Sequence, residues 1–303
     1  MLIVWSGSKV NEIRDVVGQI IATTCIPHEV RKVSGGPPEV NDNDVVLACG
    51  GKAVEILQNI GLVPKNRTVG SLREKVIVVE PSNPNSAKIL VTYEPSIVGK
   101  DYSKLPEVQW DTRLACRLHN NGNIEPVIGD YRYVDSLHDA IGFIDDSEEP
   151  VDVAVDLETV GLDEYDTDAY IVSISFTYKE GESDVVYFTK DEHPVKPRDG
   201  VLFDDLSYWE QLWVQIHWIL TSPKVRVRGA NFKFDSRWMN KKWEMQCSNF
   251  TFDTLLVGTL LDENVSNSLK LHAKIHTPLG GYDTEAKGYD FSRVDLIPKN
   301  VLL

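Results

Sequence analysis

The segment that most restricts how this chain can fold is VDVAVDLE at 151–158. It reads as a buried strand, a short apolar run directly after the acidic, proline-ended stretch DDSEEP. Its last residues are Asp156, Leu157 and Glu158. Alternate residues of a strand face opposite sides, so Asp156 and Glu158 project together while Leu157 enters the core behind them. Two carboxylates held this close repel one another unless a cation lies between them. That points to a hard divalent metal with oxygen ligands. The competing reading is a solvated strand end, because Asp-x-Glu pairs are common, and the pair alone leaves both open.

A second cluster, Asn231-Phe232-Lys233-Phe234-Asp235, follows the strand-like VRVRG (225–229) and opens an amphipathic helix. Taken singly, Asn231 reads as a helix N-cap. Asp235 reads as a first-turn acid favoured by the helix dipole. Both roles are compatible with a metal site, and the two clusters in this order, each in its own context, are far more specific than either alone. Lys233 is equally a strand-contacting cation or a solvated lysine, whereas Phe232 and Phe234 read as core. The leucines of DTLLVGTLLDE (253–263), namely Leu255, Leu256, Leu260 and Leu261, read as ordinary helical core, with Asp253 as a helix cap or supporting group.

The 303 residues suffice for two domains. No stretch approaches the ~18 apolar residues of a membrane span, so no membrane partner is expected. The opening MLIVW reads as a first strand and not as a signal peptide. Cys25, Cys49, Cys116 and Cys247 are scattered without a C-x-x-C pair, which argues against a disulfide framework or a zinc site and suits a cytoplasmic setting. Residues 1–118 alternate strand-like runs (2–5, 45–49, 75–80, 88–94) with helical ones (10–21, 52–60, 109–119), predicting a smaller three-layer α/β domain with a largely parallel sheet. Residues 119–150 are expected to form a linker, although 136–144 has a helical pattern. Residues 151–303 predict three strands, a helix, a strand and two or more helices, an α/β domain with a mixed sheet.

The formal charge is −15. Residues 1–150 hold 15 Lys and Arg against 21 Asp and Glu; residues 151–303 hold 16 against 25. Neither half has the overall basic footprint of a non-specific nucleic-acid binder. A divalent-metal nuclease remains compatible, since it requires a carboxylate cluster and only local cations.

The motifs DLET (156–159) and N-x-K-F-D (231–235), followed by FDTLLVGTLLDENVSNSLK (252–270), resemble the DEDD 3'–5' exonuclease domain of polymerase I-like, phage-type DNA polymerases over about 151–303. The resemblance implies a ribonuclease H-like fold and two divalent ions, Mg²⁺ or Mn²⁺. Asp156 would bridge both ions, Glu158 would complete one shell and align water, and Asp235 would hold the second. Asn231 and Lys233 would support the substrate strand, a single-stranded DNA 3' end, and a polymerase domain would act in cis or in trans. The setting would be the cytoplasm, that of the host if the chain is phage-encoded. The family's third motif, with its fourth carboxylate, has no convincing copy; Phe291 and Asp295 (FSRVD) give only a degenerate version. The fourth acid is therefore expected beyond Leu303 or from another chain, and the 303-residue form is expected to hydrolyse DNA weakly or not at all. Alternatives are a DEDD ribonuclease and a catalytically dead structural or DNA-binding arm.

Residues 45–118 resemble the later part of a uracil-DNA glycosylase-like domain, through VVLACGGKAVEIL, GSLREKVIVV and the run ILVTYEPSIVGKDYSKLPEVQWDTRLACRL. Glu94 stands where that family has its catalytic histidine, and the first glycine-rich motif is absent. The expectation is a kept fold with lost base-excision chemistry.

Overall fold

A computed structural model of the chain describes residues 1–5, 17, 29–32, 38–125, 129–264, 266–277, 279–280 and 293–297. The chain divides into two compact units. The first is Met1–Pro126 with Asn264–Ser266 and Lys270–Gly281; the second is Val127–Glu263 with Asn267–Leu269 and Tyr282–Leu303.

In the first unit, β1 (Leu2–Trp5), β2 (Glu29–Lys32), β3 (Val45–Cys49), β4 (Ile77–Val78) and β5 (Lys88–Thr92) form a sheet of order β2-β1-β3-β5-β4. All pairings are parallel except β4 with β5. The unbroken apolar β3 is buried on both faces, as parallel strands between helices are. Val45 and Leu47 pack with Val108, Leu114 and Leu118 of one helix, Leu105–Asn121, whereas Val46 and Ala48 pack with Ala53, Val54 and Leu57 of another, Gly51–Asn59. These are α3 and α1, with the short α2 (Val69–Leu72) between them in sequence, and the layers are three. The strand expected over 75–80 shrinks to two residues, and the helix expected over 10–21 falls on residues of which only Val17 is described.

In the second unit, β6 (Asp130–Tyr133), β7 (Val151–Val160), β8 (Tyr170–Lys179), β9 (Glu182–Tyr187), β10 (Val225–Gly229) and β11 (Phe250–Asp253) form a mixed sheet of order β11-β10-β7-β8-β9-β6. β7, β8 and β9 are an antiparallel meander. The chain then crosses to the other side of β7, where β10 and β11 run parallel to it. The helices are α4 (His138–Asp146), α5 (Tyr208–Thr221), α6 (Phe232–Trp243) and α7 (Thr254–Leu261); α8 (Leu269–His276) lies mostly in the first unit. Along β7, Val153, Val155, Leu157 and Thr159 are buried while Asp152, Ala154 and Asp156 are exposed, the alternation expected of it.

Two expectations need correction. The stretch 119–150, expected as a linker, ends α3, adds β6 to the sheet parallel to β9, and forms α4, whose Ala140 and Ile144 join the core. The buried Gln215 accepts the Leu137 N–H (2.6 Å) just before α4 and so ties this segment down. The leucines of α7 are not core: Leu256, Leu260 and Leu261 are 61%, 86% and 82% exposed, and within this two-turn helix only Gly258 is buried. An eight-residue helix that turns its smallest residue inward leaves its apolar ones outward.

Candidate active site

The site forms where β7 outruns β10. The last paired residues are Arg228 of β10 and Ala154 of β7, so beyond Ala154 no described strand pairs with this edge of β7, and only the isolated bridge from Arg293 to Val160 touches it. The chain leaves β10 at Gly229, where a Cβ would meet Phe232 at 2.9 Å, a closeness that only glycine allows. Asn231 then takes a left-handed conformation (φ 60°) and α6 begins. Asn231 thus occupies the N-cap position, but its side chain makes no capping bond, contrary to the simple reading of an Asn there.

Asp253 supplies what Asn231 does not. Its buried carboxylate accepts the N–H groups of Asn231 (3.0 Å) and Phe232 (2.9 Å) at the start of α6 and those of Leu255 (2.9 Å) and Leu256 (3.2 Å) at the start of α7. One carboxylate therefore closes two helix starts. The other end of α6 is held by the Trp213 indole, which donates to the Trp243 carbonyl (2.8 Å). Asp235 lies on a helix fixed at both ends.

Asp235 is buried at 3% exposure. The Leu157 N–H, between Asp156 and Glu158, is close enough to its carboxyl to favour the charged form. Desolvation and then the charge of Asp156 push Asp235 up to about 8, against the pull of its own N–H and that of Leu157. Asp156 is open to solvent on one side, yet the surrounding protein desolvates it enough to raise it to about 6. Glu158 is half-buried on the same strand. Of the three predicted acids, Asp235 thus lies within electrostatic reach of Asp156, and Glu158 follows two residues further along the same strand. Asn231 and Lys233 are exposed on the turn and first turn of α6 beside them. Among the described residues no group of three or more His, Cys, Asp and Glu is arranged as a ready metal cage. The donors nonetheless suit a hard divalent ion: all are oxygens, and the buried acid is raised by its neighbour's negative charge, a repulsion that a cation relieves.

Asp295 is held in an ion pair of its own. Arg293 bridges to Val160, the last residue of β7 and two beyond Glu158, and its guanidinium grips the Asp295 carboxylate (3.0 and 2.8 Å), holding it below its usual range. Phe291 lies outside the described residues. The loop leaving β7 adds residues for which the sequence carried no signal. Glu164, one acid in an acidic loop, is buried and paired with Arg237 of α6, while Leu162 and Tyr165 are exposed.

A three-stranded meander, two parallel strands added beyond its first member, and acids gathered at the end of that first strand define a ribonuclease H-like nuclease domain. The sequence carries the same conclusion further. A model of the 3'-5' exonuclease family matches residues 131–286, more than half of the chain, and the chain belongs to that family, whose DEDD members are metal-dependent hydrolases. No curated protein matches. Among solved structures, the chain is similar to NrnC of Brucella melitensis bound to pGG, at 13% identity over 59% of this chain and 72% of that one, TM-score 0.39. It is similar also to Escherichia coli RNase D, an exoribonuclease involved in structured RNA processing (12%, 57% and 40%, TM-score 0.39). The catalytic core of RRP6 from Trypanosoma brucei is a third (15%, 59% and 43%, TM-score 0.37). Likenesses this distant transfer neither substrate nor partner.

Proposed function

We propose that this exonuclease removes nucleotides from a single-stranded DNA 3' end as the proofreading part of a polymerase I-like, phage-type DNA polymerase, with the polymerase domain in cis or in trans. The observation that carries the reading is the buried Asp235 carboxyl in reach of the peptide between Asp156 and Glu158. Asp156, Glu158 and Asp235 would hold two divalent ions, Mg²⁺ or Mn²⁺. When bound, such ions acidify water and neutralise the charge on the leaving 3'-oxygen. The chain's own residues do the rest. Asp156 and Glu158 face the substrate from a rigid strand, Asp235 gives up its proton to complete the oxygen set, and Asn231 and Lys233 steady the strand near its 3' end. The polymerase context is supported by FDTLLVGTLLDENVSNSLK (252–270). No described helix is long and apolar enough to cross a membrane; the cytoplasmic setting we propose rests on the scattered cysteines of the sequence.

For the domain plan we propose a glycosylase-like scaffold over 1–118 that has lost base excision, followed by the exonuclease. In support, Glu94 follows β5 and its carboxylate lies so close to Gly50 that a Cβ there would collide with it.

The test is a 5'-labelled single-stranded DNA and an RNA of the same sequence, incubated with Mg²⁺, Mn²⁺ or EDTA. Stepwise shortening of the DNA from its 3' end, lost in EDTA and in Asp156→Ala, is expected. Cleavage that survives Asp156→Ala would overturn the site, and faster loss of RNA than of DNA would withdraw the polymerase role.

A further inference from the structure

We propose that the exposed face of α6, together with Tyr165, is the track along which the single-stranded substrate leaves the site; this rests on the nuclease reading above. Lys233, Arg237 and Lys241 recur at every fourth residue of α6 and all three are exposed. That spacing puts them on one helix face, about 6 Å apart along the axis. The row begins two residues before Asp235 and runs away from it for two turns. It is a local cationic line on a chain of charge −15, in which Lys233 and Lys241 are spaced to meet phosphates of an extended strand while Arg237 between them is held by Glu164.

The loop after β7 is clamped beside this face. Arg237 Nε donates to Oε1 of the buried Glu164 (2.8 Å), and Lys242 Nζ donates to the Asp166 carbonyl (2.9 Å). Between those two anchors the Tyr165 ring stands 68% exposed, with the Lys241 ammonium 4.7 Å from its centroid. Lys241 makes no salt bridge among the described residues. An aromatic held outward by fixed neighbours, with a cation at its face, offers a base a stacking surface and the adjoining phosphate a charge. The recognised chemistry is the backbone and base face of a single strand, common to DNA and RNA.

The test separates binding from cleavage. Affinities of the full chain for a fluorescent trinucleotide and for a dodecamer, each as DNA and as RNA, are measured in EDTA across a salt series. Tyr165→Ala is expected to weaken dodecamer binding at least about 5-fold, while Tyr165→Phe keeps it. Lys241→Gln is expected to lower the salt slope by about 0.7. Trinucleotide affinity should stay within error in every variant, since it reaches only the acids and Lys233. Equal losses for both lengths, or unchanged dodecamer affinity, overturn the track, as does a wild-type chain that binds neither strand. A chain that binds in this length-dependent way yet whose cleavage survives Asp156→Ala overturns the proposed exonuclease site and leaves the track standing. The DNA and RNA arms tell which strand the track prefers.

Discussion

Asp253 is not one of the three candidate acids, yet it fixes the start of the helix that carries Asp235. Replacing it by alanine removes an acceptor shared by four backbone N–H groups, two at the start of α6 and two at the start of α7. Loss of one N-cap costs about 0.5–2 kcal/mol. Two helix starts are affected, the bonds are to a charged acceptor, and the site is buried, which strengthens each of them. Against this stands the relief of no longer burying a carboxylate. The net expectation is a loss of about 3 kcal/mol. For a unit of this size that is a fall in melting temperature of about 6–12 °C. Asp253→Asn, which keeps the shape but can accept fewer of the four bonds, should fall between alanine and wild type.

The functional consequence follows from the turn at Asn231. Without Asp253 the turn loosens, and Asp235, four residues on, drifts from the Leu157 peptide. A misplacement of about 1 Å in a positioning group costs on the order of 100-fold in rate. Assayed well below the variant's melting temperature, the turnover of Asp253→Ala should therefore drop much more than its affinity for DNA, which the cations of α6 supply. Thermal melts by circular dichroism and single-turnover cleavage make the comparison. Melting within 1 °C of wild type, or a rate loss no larger than the fall in folded fraction, would refute the claim that this one carboxylate organises both helices.

Asp156→Ala should abolish cleavage and also remove the thermal stabilisation that Mn²⁺ gives the wild type, about 2.7 kcal/mol at a hundred times Kd; a melt that still responds to the ion would place the metal elsewhere. In metal-free buffer the folded Asp235 keeps its proton up to about 8, whereas the unfolded residue loses it near 4. This group thus favours the folded state fully below about pH 4, and the advantage fades by about 1.4 kcal/mol per unit as pH rises to about 8. Urea melts should show that decline in the wild type and a flatter profile in Asp235→Asn. Gly229→Ala drives a Cβ against Phe232 and should cost about 1–3 kcal/mol, seen as an earlier urea midpoint. The chain should release no free uracil from single-stranded DNA, and release that disappears on Glu94→Ala would be the contrary result.

The strands that carry the chemistry were legible because their burial is uniform along the element. β7 is apolar at its inward positions Val153, Val155 and Leu157, and β10 (VRVRG) follows it in kind, so their ends could be aligned and the acids grouped. The edge strands were not legible. β6 is DYRY and β11 is FTFD, four residues each, mixed in polarity, and defined by the neighbour they pair with more than by their own pattern. The helix of 138–146 had a visible pattern, but what makes its segment part of the domain is Gln215, 78 residues away in sequence, and periodicity cannot report such a bond. The leucines of α7 misled for the opposite reason. A helix with five apolar side chains in eight residues looks like core from any direction, and only the packing tells which side has a neighbour.

The overall charge also concealed something. A sum over half a chain weighs each lysine equally, whereas a nucleic-acid strand meets only the face it approaches. In α6 the same twelve residues hold the buried Asp235 on one side and Lys233, Arg237 and Lys241 on another, so an acid for metal chemistry and cations for a polyanion are set by helical phase. Most of the remaining acids need not repel the strand if they lie away from that face or are paired. Asp152 is paired with Arg226 and Arg228, Glu164 with Arg237, and Asp184 with Arg132. An acidic composition and an anionic substrate are therefore compatible when the positive charge is ordered in one row beside the site, and surface charge should be counted by face.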